Sequence, residues 1–96
     1  MFILAAKITI FLNDRPKNLK EKRSIISSLK QKLFNKFKVS IAEIENNDKL
    51  HITTLGIAIV SNNKNILNQT INKIEDFLTS IANICILETT VDYYSQ

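Results

Sequence analysis

From Phe2 to Leu12 the chain alternates. Leu4, Ala6, Ile8, Ile10 and Leu12 share one face, and Ile3, Ala5, Lys7, Thr9 and Phe11 share the other, the period-two pattern of a half-buried strand. The first set is wholly apolar and is predicted to meet the helices. Asn13, Asp14, Arg15 and Pro16 then make a turn, after which the period lengthens. Leu19, Ile26, Leu29, Leu33 and Phe37 form one stripe on a 3.6-residue wheel, so a helix is predicted to begin near Leu19. Asn18 stands where an N-cap belongs, and Glu21, three residues on, can reach back to it. Pro16 lies outside the helix, where it removes no internal hydrogen bond.

Val39 to Glu45 is rich in β-branched residues and predicts a second strand. Its alternation slips, which a bulge near Ile41 to Glu43 would repair. Asn46, Asn47, Asp48 and Lys49 form a polar turn between two apolar runs, so the next strand, from about Leu50 to Ser61, returns as a hairpin partner. In it Leu55, Ile57 and Ile59 oppose Gly56, Ala58 and Val60. Asn62 and Asn63 can cap a second helix, whose stripe is Leu67, Ile71, Ile74, Leu78 and Ile81. A last strand is predicted from Ile84 to Tyr94, with Ile84, Ile86, Glu88, Thr90 and Asp92 on one side and Cys85, Leu87, Thr89, Val91 and Tyr93 on the other. The order strand, helix, strand, strand, helix, strand gives two right-handed crossover units joined by a hairpin. That is the ferredoxin-like α+β sandwich: a four-stranded antiparallel sheet with two helices on one face, in a single domain over residues 1–96.

Composition fits this reading. Ninety-six residues with 45% hydrophobic content suffice for a modest core. The apolar run Phe2 to Ala6 is too short to span a bilayer, so no membrane association is expected. A single cysteine, Cys85, can form no internal disulfide, which points to a reducing cytoplasm. Charge changes the picture more. Nine of the thirteen basic residues fall between Arg15 and Lys38, against one acid, Glu21. That segment carries +8, which leaves −4 for the remainder of a chain whose net charge is +4.

The basic entrance to the first helix is the leading candidate site. Arg15, Lys17, Lys20, Lys22 and Arg23 crowd the turn and the opening helical turns, with Lys30 further along. Helix N-termini disfavour cations on electrostatic grounds, whereas free N–H groups beside Lys and Arg bind phosphate. A solvated lysine-rich surface is the plain alternative. Arg23, Ser27, Lys30 and Phe34 follow one another up a flank of the helix; a packed Phe34 with aliphatic stems lying on apolar neighbours is the plainer expectation there.

Nothing else offers chemistry. His51 has no ligand-type neighbours that would make it a metal site, Cys85 lies in an apolar strand pattern as a small buried hydrophobe, and Glu43 with Glu45 reads as the wet side of a strand. The lone Gly56 excludes a glycine-rich phosphate loop. No catalytic residue, metal or cofactor is expected, and the protein is read as non-enzymatic. The sheet face away from the helices would expose Ile3, Ala5, Phe11, Gly56, Ala58, Val60, Ile84 and Ile86. An apolar surface of this kind predicts self-association, most simply a two-fold homodimer.

Leu19-Lys20-Glu21-Lys22-Arg23 with its amphipathic helix, then Phe37-Lys38-Val39-Ser40-Ile41-Ala42-Glu43, and later Thr54-Leu55-Gly56-Ile57-Ala58-Ile59-Val60-Ser61, resembles the YlxP-like family of small bacterial proteins, classed as a domain of unknown function. The similarity covers nearly the whole chain. Many relatives carry a tryptophan near the start of the third strand, where this chain has Leu50-His51-Ile52. The resemblance implies a ferredoxin-like fold. It also implies RNA binding, since members are often labelled so for their proximity to translation and ribosome-maturation genes. The expectation is therefore a cytoplasmic protein that contacts the phosphates of structured, ribosomal RNA through Arg15, Lys17, Lys20, Lys22, Arg23 and Lys30. A homodimeric structural or regulatory module using the open sheet face is the rival, and a small-ligand-binding regulatory domain of similar topology is the third reading.

Overall fold

The structure, a computed structural model, describes residues 1–13 and 16–96. Its elements run β1 (Phe2–Leu12), α1 (Leu19–Phe37), β2 (Ser40–Glu45), β3 (Ile52–Ser61), α2 (Lys64–Ser80) and β4 (Ile84–Ser95). The sheet order is β2-β3-β1-β4, with every neighbouring pair antiparallel. This is the ferredoxin-like topology that the apolar patterns predict. The predicted second and third strands begin one and two residues early, because Val39 and the Leu50–His51 pair lie outside the ladders.

The core is one layer of side chains between sheet and helices. Leu4, Ile8, Ile10 and Leu12 of β1 and Leu55 of β3 are fully buried against Leu33 of α1 and Leu67, Ile74 and Leu78 of α2. Ile26 and Leu29 complete the α1 stripe at 3% and 5% exposure. Both helices are capped as their sequences predict: Asn18 Oδ1 accepts from the Glu21 N–H at 2.9 Å and Asn63 Oδ1 from the Asn65 N–H at 2.9 Å. The α1 helix ends on Lys38 in the left-handed conformation, φ 56°, with its N–H donated to the Phe34 carbonyl at 2.8 Å.

Two bulges decide which side chains face which way. In β4, Thr9 pairs with Glu88 but Ile10 pairs with Ile86, so Leu87 is the extra residue. The slip carries Ile84 and Ile86 to the helix side, opposite Leu12 and Ile10, where they pack on the core. They are therefore not part of the open face, contrary to the uninterrupted alternation assumed above. Cys85 turns the other way and is exposed, not buried. In β2, Glu43 pairs with Leu55 and Glu45 with Thr54, so the bulge falls at Ile44, later than predicted. Glu43, before the bulge, stays on the helix side opposite Leu55, whereas Glu45, after it, turns to the open face, so the two acids do not share a wet side.

Candidate nucleic-acid interface

The basic residues of α1 divide by their position around the helix. Lys20 and Arg23 point outward and are exposed, as is Lys17 in the preceding turn; Lys30, two turns on, is half-buried. Among the described residues, none of these four takes part in an ion pair. Arg15 lies outside the described residues.

Lys22 is the correction. It is 1% exposed, because it occupies the inner stripe between Leu19 and Ile26. Its Nζ lies 3.2 Å from Glu43 Oε2 and donates to the Asn46 carbonyl at 2.6 Å. Glu43 Oε2 also accepts from Thr53 Oγ1 at 2.6 Å, and Asn46 Nδ2 donates to Thr54 Oγ1 at 2.9 Å. Thr54 shares a further hydrogen bond with Thr9 at 3.0 Å. A buried ammonium is tolerated only when paired and hydrogen-bonded, and this one is both. Lys22 is thus unavailable to a phosphate. The sequence did carry a signal for this, since Leu19, Lys22, Ile26, Leu29 and Leu33 follow the spacing three, four, three, four.

The mouth of the helix is also occupied. The Glu21 carboxylate accepts a hydrogen bond from the Lys17 backbone N–H, one residue upstream of the predicted capping-box partner, while Asn18 takes the Glu21 N–H. Asn18 O accepts from Lys22 N at 3.1 Å. With a carboxylate seated there, the outward cations, not the helix terminus, are the feature suited to an anion.

Along the same flank, Phe34 is 50% exposed, where its position in the sequence predicts packing. The Lys38 Nζ stands 5.5 Å from its ring centroid. Between this flank and β2 runs a groove of about 500 Å³, lined by Ser27, Lys30, Gln31, Phe34, Ser40 and Ile41 together with buried Val39.

The opposite surface differs in character. The open sheet face holds Ile3, Ala5, Phe11, Gly56, Ala58 and Val60 as predicted, with Val60 62% exposed. Its one lysine, Lys7, donates to Glu45 Oε1 at 2.8 Å, and that bond with the Glu45 charge raises the Lys7 pKa above its ordinary value; Asp92 and Glu88 add to the effect. The face is apolar with an acidic surround, and so unsuited to phosphate. Ile44 leans over Gly56, where an added Cβ would stand 3.0 Å from Ile44 Cγ2.

Fold and surface together define a small ferredoxin-like α+β sandwich with a cationic helical exterior and an apolar open sheet. Within that class the sequence is more particular: residues 3–91 match the model of a family described as "Protein of unknown function (DUF503)", and the chain belongs to this YlxP-like family. It is 34% identical over 67 residues to "Uncharacterized protein YlxP" of Bacillus subtilis (strain 168), covering 70% of this chain and 73% of the relative. Among solved structures it is similar to the de novo designed protein Ferredog-Diesel, at 14% identity and TM-score 0.45 over 94% of this chain and 83% of that one. A dimeric ferredoxin-like protein from an uncultured marine organism gives 12% identity and TM-score 0.39 over 97% and 92%. Among the described residues, no helix is long and apolar enough to cross a membrane.

Proposed function

We propose that this chain is a non-enzymatic cytoplasmic protein that binds structured RNA, ribosomal in its natural setting, through the outward cations of α1. One observation carries the reading: Lys17, Lys20, Arg23 and Lys30 are unpaired among the described residues on a single side of the molecule, while most of the acids lie elsewhere. Stability does not explain cations in the first turns of a helix, where they oppose its dipole. Contacts of this type position a protein on a phosphate backbone without reading bases, so RNA shape governs preference. The test replaces Lys17, Lys20 and Arg23 with Ser and measures binding to ribosomal RNA fragments across ~50–200 mM salt. The parent should lose affinity steeply with salt, and the triple variant should bind more weakly with a shallower slope. Equal affinity and slope would remove the reading.

A second reading rests on the open sheet. Ile3, Ala5, Ala58 and Val60 form adjoining apolar positions on β1 and β3, and small residues there allow a second sheet to approach closely. This supports homodimerisation through the face opposite the cations, so the two readings are compatible. Sedimentation at micromolar concentration tests it. A species of 11.0 kDa for the parent, unchanged by Ala58→Arg, would dismiss the dimer.

A further inference from the structure

The groove between α1 and β2 has a composition that the cationic exterior alone does not require. Phe34 is a half-exposed aromatic outside the core stripe. Lys30 lines the groove beside it, and the Lys38 ammonium lies over its ring at 5.5 Å. Among the described residues, no carboxylate lines the groove. One wall is β2, an edge strand whose only ladder partner is β3, so its outer backbone groups are unpaired by the sheet. The other exposed aromatics have different surroundings: Tyr93 donates to Asn68 from the α2 side, and Tyr94 lies on the face that carries Asp92.

We infer that Phe34 is a stacking platform for an unpaired nucleobase, with Lys30 and Lys38 holding the phosphates on either side of it and the β2 edge facing the base. The inference rests on α1 being the RNA-facing surface, and it adds the class of RNA element: a single-stranded loop, bulge or end. Bases inside a duplex are already stacked, whereas unpaired bases present a free π-face to an aromatic side chain. Lys38 is ready to serve because the left-handed turn at the end of α1 sets it back over Phe34. A stacked base would take the ring face and leave the ammonium to a neighbouring phosphate. Any base can stack, so the site selects strandedness over sequence.

Fluorescence anisotropy with a labelled single-stranded RNA of roughly eight nucleotides and with a blunt RNA duplex tests this, using the parent, Phe34→Ala, Phe34→Tyr and the Lys17, Lys20, Arg23 triple Ser variant. Phe34→Ala should weaken single-strand binding at least about fivefold, with an unchanged salt slope and unchanged duplex binding. Phe34→Tyr, which keeps a ring, should restore it. Parent-like single-strand binding by Phe34→Ala, or an equal loss on the duplex, would overturn the stacking site. If the triple variant is still weakened in that case, the phosphate-binding reading stands without it. A parent that binds neither RNA would overturn both. Because Phe34 is half-exposed, circular dichroism of its variants should match the parent.

Discussion

Lys22 of α1 and Glu43 of β2 form an ion pair inside the molecule, Nζ to Oε2 at 3.2 Å, with side chains 1% and 15% exposed. It spans the two elements that frame the groove. Glu43 lies on the helix side by regular alternation from Ile41, opposite Leu55, and the unpartnered Ile44 that follows turns Glu45 to the open face. Thr53 donates to the same Glu43 oxygen, and the Asn46 carbonyl takes a second Lys22 proton, so no buried polar side-chain atom among the described residues is left without a partner.

Removing one partner leaves the other charge uncompensated. Lys22→Met and Glu43→Gln should each destabilise the fold by on the order of 3 kcal/mol, read as a lower urea midpoint at unchanged slope. The Lys22→Met, Glu43→Leu double variant should lose much less than the sum of the single losses, because the cost lies in the orphaned charge. Additive losses would mean that the two side chains act independently. RNA affinity of folded Lys22→Met should equal that of the parent, which separates this lysine from its outward neighbours.

Most of the architecture was legible in the sequence, since burial on one face imposes a period that is readable without coordinates. Leu4 to Leu12, and Leu67, Ile71, Ile74 and Leu78, lie where their spacing puts them. The misreadings come from features without a period. One extra residue at Leu87 reversed Ile84, Ile86 and Cys85, and another at Ile44 separated Glu43 from Glu45. A bulge costs one unpaired residue and shows at best as a slip in alternation, which in β2 signals the bulge but not its exact place, so parity beyond it is lost. Lys22 was misplaced for a different reason. Its stripe position was visible, but the type of residue suggested solvent, and the counter-charge that makes burial possible is 21 positions away in sequence, on β2.

The two faces of α1 offer an internal comparison. Leu29 is 5% exposed and Phe34 50%. Leu29→Ala should cost ~2–5 kcal/mol, as buried truncations do. Phe34→Ala, though it removes more atoms, should cost less than about 1 kcal/mol, nearer the scale of surface substitutions. Chemical denaturation of both variants measures the difference. A larger loss for Phe34→Ala would mean that the ring supports the core, and it would also weaken its assignment as a stacking platform.

Lys7 allows a test on the opposite face. Its pKa is raised first by the hydrogen bond to Glu45, then by the Glu45 charge, with Asp92 and Glu88 adding. A raised amine pKa means that folding favours the protonated form. The stabilisation is complete below the unfolded pKa of about 10.4 and fades as pH rises through the higher folded value. Glu45→Gln should therefore move the Lys7 titration, followed by NMR of its side-chain Hε/Cε resonances, toward that of a free lysine; it should remove a small stabilisation present at neutral pH and flatten the loss of stability at alkaline pH, where parent and variant converge. Glu88→Gln should move the titration less, because Glu88 acts only through charge and ranks last among the causes. If Glu88→Gln shifts Lys7 as far as Glu45→Gln does, the 2.8 Å contact does not persist in solution. Lys7 would then sit in the general field of three carboxylates, free to pair across a dimer interface built on this face.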